Sequence, residues 1–171
     1  SMSEVVTYVE GMVNGHRTYG DYGDVIIYDR PGLDQPIIHR ALCRVEYNVS
    51  SHSFDVPSLA NVPSRFWEVK GNGSWWNITS LLVLKEVGFS NSTVELSIPY
   101  ILTRMGSSPH GGLITMGDNN IVHTVEGSLI MADQSDFSNI GEPIQEEEIL
   151  GRAEGEVPWI GLARLALSGQ W

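Results

Sequence analysis

The chain has 171 residues, 42% of them hydrophobic and 18% charged, a globular composition long enough for one domain with a real core and unlike that of a disordered segment. Ten basic against 21 acidic residues leave a formal net charge of −11, and no Lys/Arg cluster offsets it locally, which excludes the phosphate backbone of nucleic acid as a partner. No window reaches the roughly 18 consecutive apolar residues of a membrane span, and the single cysteine, Cys43, excludes an intrachain disulfide and any zinc site needing several cysteines.

Ser1-Met2 reads as a leader, residues 1–4 in all, with any membrane anchor expected outside this sequence. Residues 5–47 alternate strands with tight turns at Tyr19 to Asp24 and Asp29 to Gly32. Val25-Ile26-Ile27-Tyr28, then Pro36-Ile37-Ile38 running into Ala41 to Val45, are short β-branched or apolar runs bounded by Gly, Pro or Asp, the signature of strands. Cys43 falls in the second run and is expected to be a buried packing residue. Residues 48–110 are richer in Ser, Asn, Trp and Pro, hold one strand signal at Leu81 to Leu84, and read as an inserted subdomain.

That inserted stretch and its border carry four Asn-X-Ser/Thr sequons, at Asn48, Asn72, Asn77 and Asn91, where nine asparagines would give about one by chance. They read either as a glycosylatable, exported surface or as ordinary polar turn chemistry. Trp67, Trp75 and Trp76 in the same stretch are candidates for sugar stacking or a membrane interface, with core packing as the alternative. Residues 111–171 return to strands, beginning with Leu113-Ile114-Thr115-Met116. No segment shows three turns of capped helical periodicity. Glu146 to Leu150 is expected to make a turn of helix, and Trp159 to Leu167 either begins one as a membrane-proximal surface or covers the core. The chain 1–171 is therefore expected to be one mainly β domain.

Two strand ends carry candidate chemistry. Pro36-Ile37-Ile38-His39-Arg40 is an apolar run ending at a histidine, which a strand can hold rigidly while its ring faces a cleft, as a general base requires. A histidine after an apolar run is equally a satisfied structural residue. Leu113-Ile114-Thr115-Met116-Gly117-Asp118-Asn119-Asn120 again ends an apolar strand at a polar turn, with Asp118 next to a glycine. One histidine and one carboxylate at strand ends can form the His–Asp half of a Ser–His–Asp unit.

In sequence order, Gly23-Asp24-Val25-Ile26-Ile27-Tyr28, Pro36 to Arg40, Leu113 to Asn120 and Gly151-Arg152-Ala153-Glu154-Gly155-Glu156-Val157-Pro158-Trp159-Ile160-Gly161 resemble the boxes of type I signal peptidases. The His-Arg form is similar to the archaeal and endoplasmic-reticulum branch, which has histidine where the bacterial enzymes use lysine. The resemblance covers about residues 5–47 and 111–167. It implies a signal-peptidase or LexA-like β-ribbon or complex β-barrel fold with an inserted subdomain. The implied activity is a membrane-associated serine endopeptidase that removes signal peptides from exported preproteins on the extracytoplasmic face of the cell membrane, without a cofactor.

Residue by residue, His39 matches the family's general base and Asp118 a carboxylate essential in that branch. A second family aspartate usually follows about six residues later; here that neighbourhood is Ile121-Val122-His123-Thr124, and Asp133 is the same element displaced by a longer loop. Asp118 and Asp133 therefore share the orienting role, and His123 reads as a loop residue. The only lysines, Lys70 and Lys85, lie in the inserted stretch, so a Ser–Lys dyad has no base; Met116 stands where the family usually has a lysine. The nucleophilic serine of the resemblance precedes the Gly-Asp strand in a Ser-Met motif. Ser1-Met2 fits superficially, but Ser3-Glu4-Val5 does not continue it and the family's first strand is missing, so the serine is expected upstream. The competing classes are a non-enzymatic secreted β module, such as a carbohydrate-binding domain, and an inert homologue of the peptidase.

Overall fold

The computed structural model describes residues 1–138 and 140–154. Its elements run α1 (Tyr8–Asn14), β1 (Arg17–Thr18), β2 (Asp21–Tyr22), β3 (Val25–Tyr28), β4 (Ile37–Asn48), β5 (Ser53–Asp55), β6 (Trp67–Val69), β7 (Leu81–Val87), β8 (Ser92–Ser97), α2 (Ile98–Met105), β9 (Gly112–Thr124), β10 (Gly127–Ala132) and β11 (Ile149–Arg152). The fold is mainly β, as the patterning requires. Nine strands form one sheet in the order β11-β3-β4-β9-β10-β8-β7-β6, with β5 paired to β4 at its side. The sheet is mixed, since β10 meets β8 in parallel at Leu129 and Thr93 while the other pairs are antiparallel. It stays open, so the closed form of the expected β architecture is not what these strands build.

The two short α-helices were not legible as periodicity, because neither spans three turns. Local chemistry sets them instead. Thr7 and Glu10 form a reciprocal capping box at the start of α1, with the Glu10 carboxylate 2.7 Å from the Thr7 amide, and Gly15 ends the helix at φ +81°. Ser97 caps α2, with Pro99 in the first turn. Of the helical turn expected over Glu146 to Leu150, Glu146–Glu148 form a short 3-10 turn, while Ile149 and Leu150 open β11. Trp159 to Leu167, and the last motif from Gly155 onward, lie outside the described residues. No described helix is long and apolar enough to cross a membrane.

The larger core cluster draws together Leu42 and Cys43 of β4, Phe54, Leu82 and Leu96 of the inserted stretch, and Ile114 of β9. Residues 48–110 thus pack onto the same core as the flanking strands. A smaller cluster of Val5, Ile26, Tyr28, Ala41, Leu113, Ile140 and Ile144 lies behind β3 and β4. Cys43 is fully buried, and burial pushes its thiol up to about 12. Trp67 is tied by its indole N–H to the Val62 carbonyl at 3.1 Å and packs on the core with Trp75, whereas Trp76 is 48% exposed.

Candidate active site

Strand register brings the candidate residues together. β3 and β4 pair Ile26 with His39 and Val25 with Arg40, and β4 pairs Arg40 with Met116 of β9. Gly117 and Asp118 therefore lie just past the His39–Arg40 level. β10 returns along β9, placing Ala132 opposite Met116 after a register shift. The next amide, that of Asp133, donates to the Thr115 carbonyl at 2.9 Å, so Asp133 stands beside His39 although 94 residues separate them.

His39 Nδ1 lies 2.6 Å from Asp133 Oδ2. The same carboxylate oxygen accepts from the Thr115 hydroxyl at 2.6 Å and the Tyr28 hydroxyl at 2.8 Å. Tyr28, Thr115 and Asp133 are all buried. Burial, and next the negative Asp133, hold the Tyr28 hydroxyl above its ordinary range, so it stays a protonated donor. With an acceptor facing Nδ1, that nitrogen carries the ring proton and Nε2 is the basic one. No described residue hydrogen-bonds Nε2. A Cβ on Gly117 would sit 2.9 Å from Nε2 and 2.8 Å from Asn120 Nδ2, so the missing side chain is what leaves the ring its room.

The imidazole is one quarter exposed and faces a cleft of about 1190 Å³ whose walls include Ile37, Ile38, Ile121, Val122, Met131 and Phe137. Phe137 and Val122 are exposed at its edge. An imidazole–carboxylate pair with a free basic nitrogen at the rim of a cleft of mixed polar and apolar walls is equipped to take a proton from a hydroxyl placed there and to stabilise the resulting imidazolium.

Asp118 has a different partner. Its two oxygens receive Arg40 Nε at 2.8 Å and a terminal guanidinium nitrogen at 2.6 Å. The Arg40 side chain is completely buried, and its other terminal nitrogen donates to the carbonyls of Thr18, Tyr22 and Gly23, each at 3.1 Å. Asp118 therefore neutralises the cation that staples β4 to the Thr18–Gly23 turn, and it makes no hydrogen bond to His39. Of the two carboxylates expected to share the orienting role, Asp133 is the one on the imidazole.

The remaining candidates fall elsewhere. His123 is exposed on β9. Lys70 and Lys85 both reach Glu68, at 2.8 and 3.3 Å, and neither lines the cleft. The Ser1 amine binds Glu4 at 2.9 Å, and Ser1 is not among the cleft residues. Reading the sequence alone missed the Tyr28 and Thr115 donors, although both sit inside quoted motifs as the polar residues of otherwise apolar strands. It also missed a second pair, His16 Nε2 to the buried Asp24 Oδ1 at 2.7 Å, whose other oxygen accepts the Val6 amide. Among the described residues no group of three or more His, Cys, Asp and Glu is placed to hold a metal ion. Comparison of the chain with family models, with curated proteins and with solved structures gives no match.

Proposed function

We propose that this chain is the catalytic domain of a type I signal peptidase of the histidine-using branch, its sheet an open variant of the signal-peptidase and LexA-like β architecture. In this reading His39 Nε2 removes the proton from a serine hydroxyl as that oxygen attacks the scissile carbonyl. The proton then passes to the leaving amine. Asp133 fixes the ring and stabilises its charged form, while Tyr28 and Thr115 hold Asp133. Asp118 acts through Arg40 and positions the β9 segment that carries Gly117. The resemblance places the attacking serine in a Ser-Met motif ahead of the Gly-Asp strand; Ser1-Met2 is the one such pair in this sequence, and Ser1 does not line the cleft. The substrates are signal peptides of exported preproteins, taken at the extracytoplasmic face of the cell membrane, and the apolar part of the cleft walls suits the small and apolar residues of such a peptide.

The observation that carries the proposal is the 2.6 Å contact between His39 Nδ1 and Asp133 Oδ2 with Nε2 left free at the cleft. A purely sugar-binding module has no need of that arrangement. The test is cleavage of a preprotein by the full-length chain in detergent. His39→Ala is expected to abolish cleavage in a protein that stays folded, at a lowered thermal midpoint because the buried Asp133 loses its partner. Asp133→Asn is expected to lower kcat by about 10⁴, as the loss of an orienting aspartate does in a Ser–His–Asp unit. A His39→Ala protein that processes the preprotein at the wild-type rate refutes the reading, and so does a full-length wild-type protein that cleaves nothing.

A further inference from the structure

The structure separates the four sequons. Three meet on one face as parts of a single hydrogen-bonded scaffold. Asn48 Nδ2 donates to Asn77 Oδ1 at 3.3 Å while its own Oδ1 accepts the Ser50 and Ser51 amides. Asn72 Nδ2 donates to the carbonyls of Trp76 at 3.1 Å and Asn77 at 3.2 Å, which uses both of its N–H groups. Asn77 Oδ1 also accepts from the Ser51 hydroxyl at 2.9 Å, and the next residue, Ile78, is wholly buried and paired with Phe54 through both backbone groups. These asparagines serve as turn chemistry: their amides close loops that bring β5 and the Trp75–Trp76 segment together.

Asn91 differs. It is exposed in the tight turn between β7 and β8, held by a backbone bond from its own amide to the Gly88 carbonyl at 3.2 Å. Its φ of +48° is left-handed, a conformation asparagine tolerates. Among the described residues nothing hydrogen-bonds its carboxamide, nor the hydroxyl of Thr93 two residues on. The turn is locked from below by other groups: Ser92 Oγ bonds Ser90 Oγ and Ser128 Oγ. A bulky group on Asn91 Nδ2 would thus break no bond, whereas one on Asn72 Nδ2 would break one.

We propose that Asn91 is an N-glycan acceptor of this protein and that Asn72 stays unmodified. The donor class is a polyprenyl-phosphate-linked sugar. A bond forms between Asn91 Nδ2 and the sugar's anomeric carbon, the anomeric carbon–oxygen bond to the phosphate breaks with its electron pair leaving on the phosphate, and Nδ2 gives up one proton. Thr93 supplies the hydroxyl that the transferring enzyme reads. The inference rests on the exported location proposed above, since the donor lipid and its transferase act on that side of the membrane.

The test is glycopeptide mass mapping of the full-length chain, produced from its own gene in its own host, with preprotein cleavage measured on the same preparation. The Asn91 peptide is expected to carry a sugar mass that Asn91→Gln or Thr93→Val removes entirely and Thr93→Ser retains. Asn72 is expected to carry no sugar, and Asn91→Gln is expected to cleave preprotein as wild type does. An unmodified Asn91, or sugar on Asn72, overturns the inference whatever the cleavage result. Loss of cleavage in the wild-type preparation speaks against the peptidase reading alone.

Discussion

Asp118→Asn separates the two carboxylates most sharply. Asp118 receives two charge-assisted hydrogen bonds from Arg40, whose side chain has no exposure at all. The amide keeps the shape but offers one neutral acceptor, so the buried guanidinium loses its counter-charge and one strong bond. Stripping a partner from a fully buried pair costs about 3–5 kcal/mol. The Asp118 side chain is 36% exposed, so solvent already screens part of the attraction, and the guanidinium keeps its backbone carbonyls. The expected loss is therefore about 2–3 kcal/mol. With a urea dependence of about 2 kcal/mol per molar for a domain of this size, the unfolding midpoint should fall by roughly 1 M. Asp133→Asn should lower the midpoint as well, since its buried carboxylate oxygen receives three bonds, and it should remove cleavage from protein that is still folded. Urea titration of both variants beside the cleavage assay checks the pair. An Asp118→Asn protein with an unchanged midpoint and no activity would refute the reasoning, because it would make Asp118 the orienting acid and Arg40 indifferent to it.

Gly117→Ala places a methyl within 2.9 Å of His39 Nε2 and 2.8 Å of Asn120 Nδ2; kcat should fall at least about tenfold with the fold retained, read by cleavage alongside circular dichroism. Tyr28→Phe takes one donor from the buried Asp133 and leaves its ring packing intact, so stability should drop by about 1–2 kcal/mol in chemical denaturation. Burial raises the Cys43 thiol from 9.0 to about 12, and the native thiol should not react with a disulfide reagent at pH 8.5 until denaturant is added. Because the native state then holds a proton that the unfolded chain releases, stability from this group is complete below pH 9 and declines as pH rises from there toward 12. A titration showing stability rising over that window would contradict the burial argument.

Much of the scaffold was readable locally. Runs such as Val25-Ile26-Ile27-Tyr28 and Leu113-Ile114-Thr115-Met116 pair as strands because β-branched and apolar side chains between turn residues have few other ways to be buried. Cys43 at the heart of β4 is buried for the same reason. The helices at Tyr8–Asn14 and Ile98–Met105 escaped, since caps and packing, rather than a long apolar stripe, set them. Four sequons looked equivalent on paper; three prove interlocked only because the loops that hold Asn48, Asn72 and Asn77 fold onto one face.

The order of residues alone determined that His39 and Asp118 each follow an apolar β-forming run, because strand propensity acts over a few neighbouring residues. The expected strand ends were wrong, since His39 is the third residue of β4 and Asp118 lies in the middle of β9, and only Asp133 follows a strand end. Which aspartate meets the imidazole was decided by pairing. The register shift between β9 and β10 carries Asp133 onto Nδ1, while the buried guanidinium of Arg40, facing away along the same strand, captures Asp118. Successive strand residues point to opposite faces, so one step of register exchanges the partners, and only the assembled sheet fixes that step.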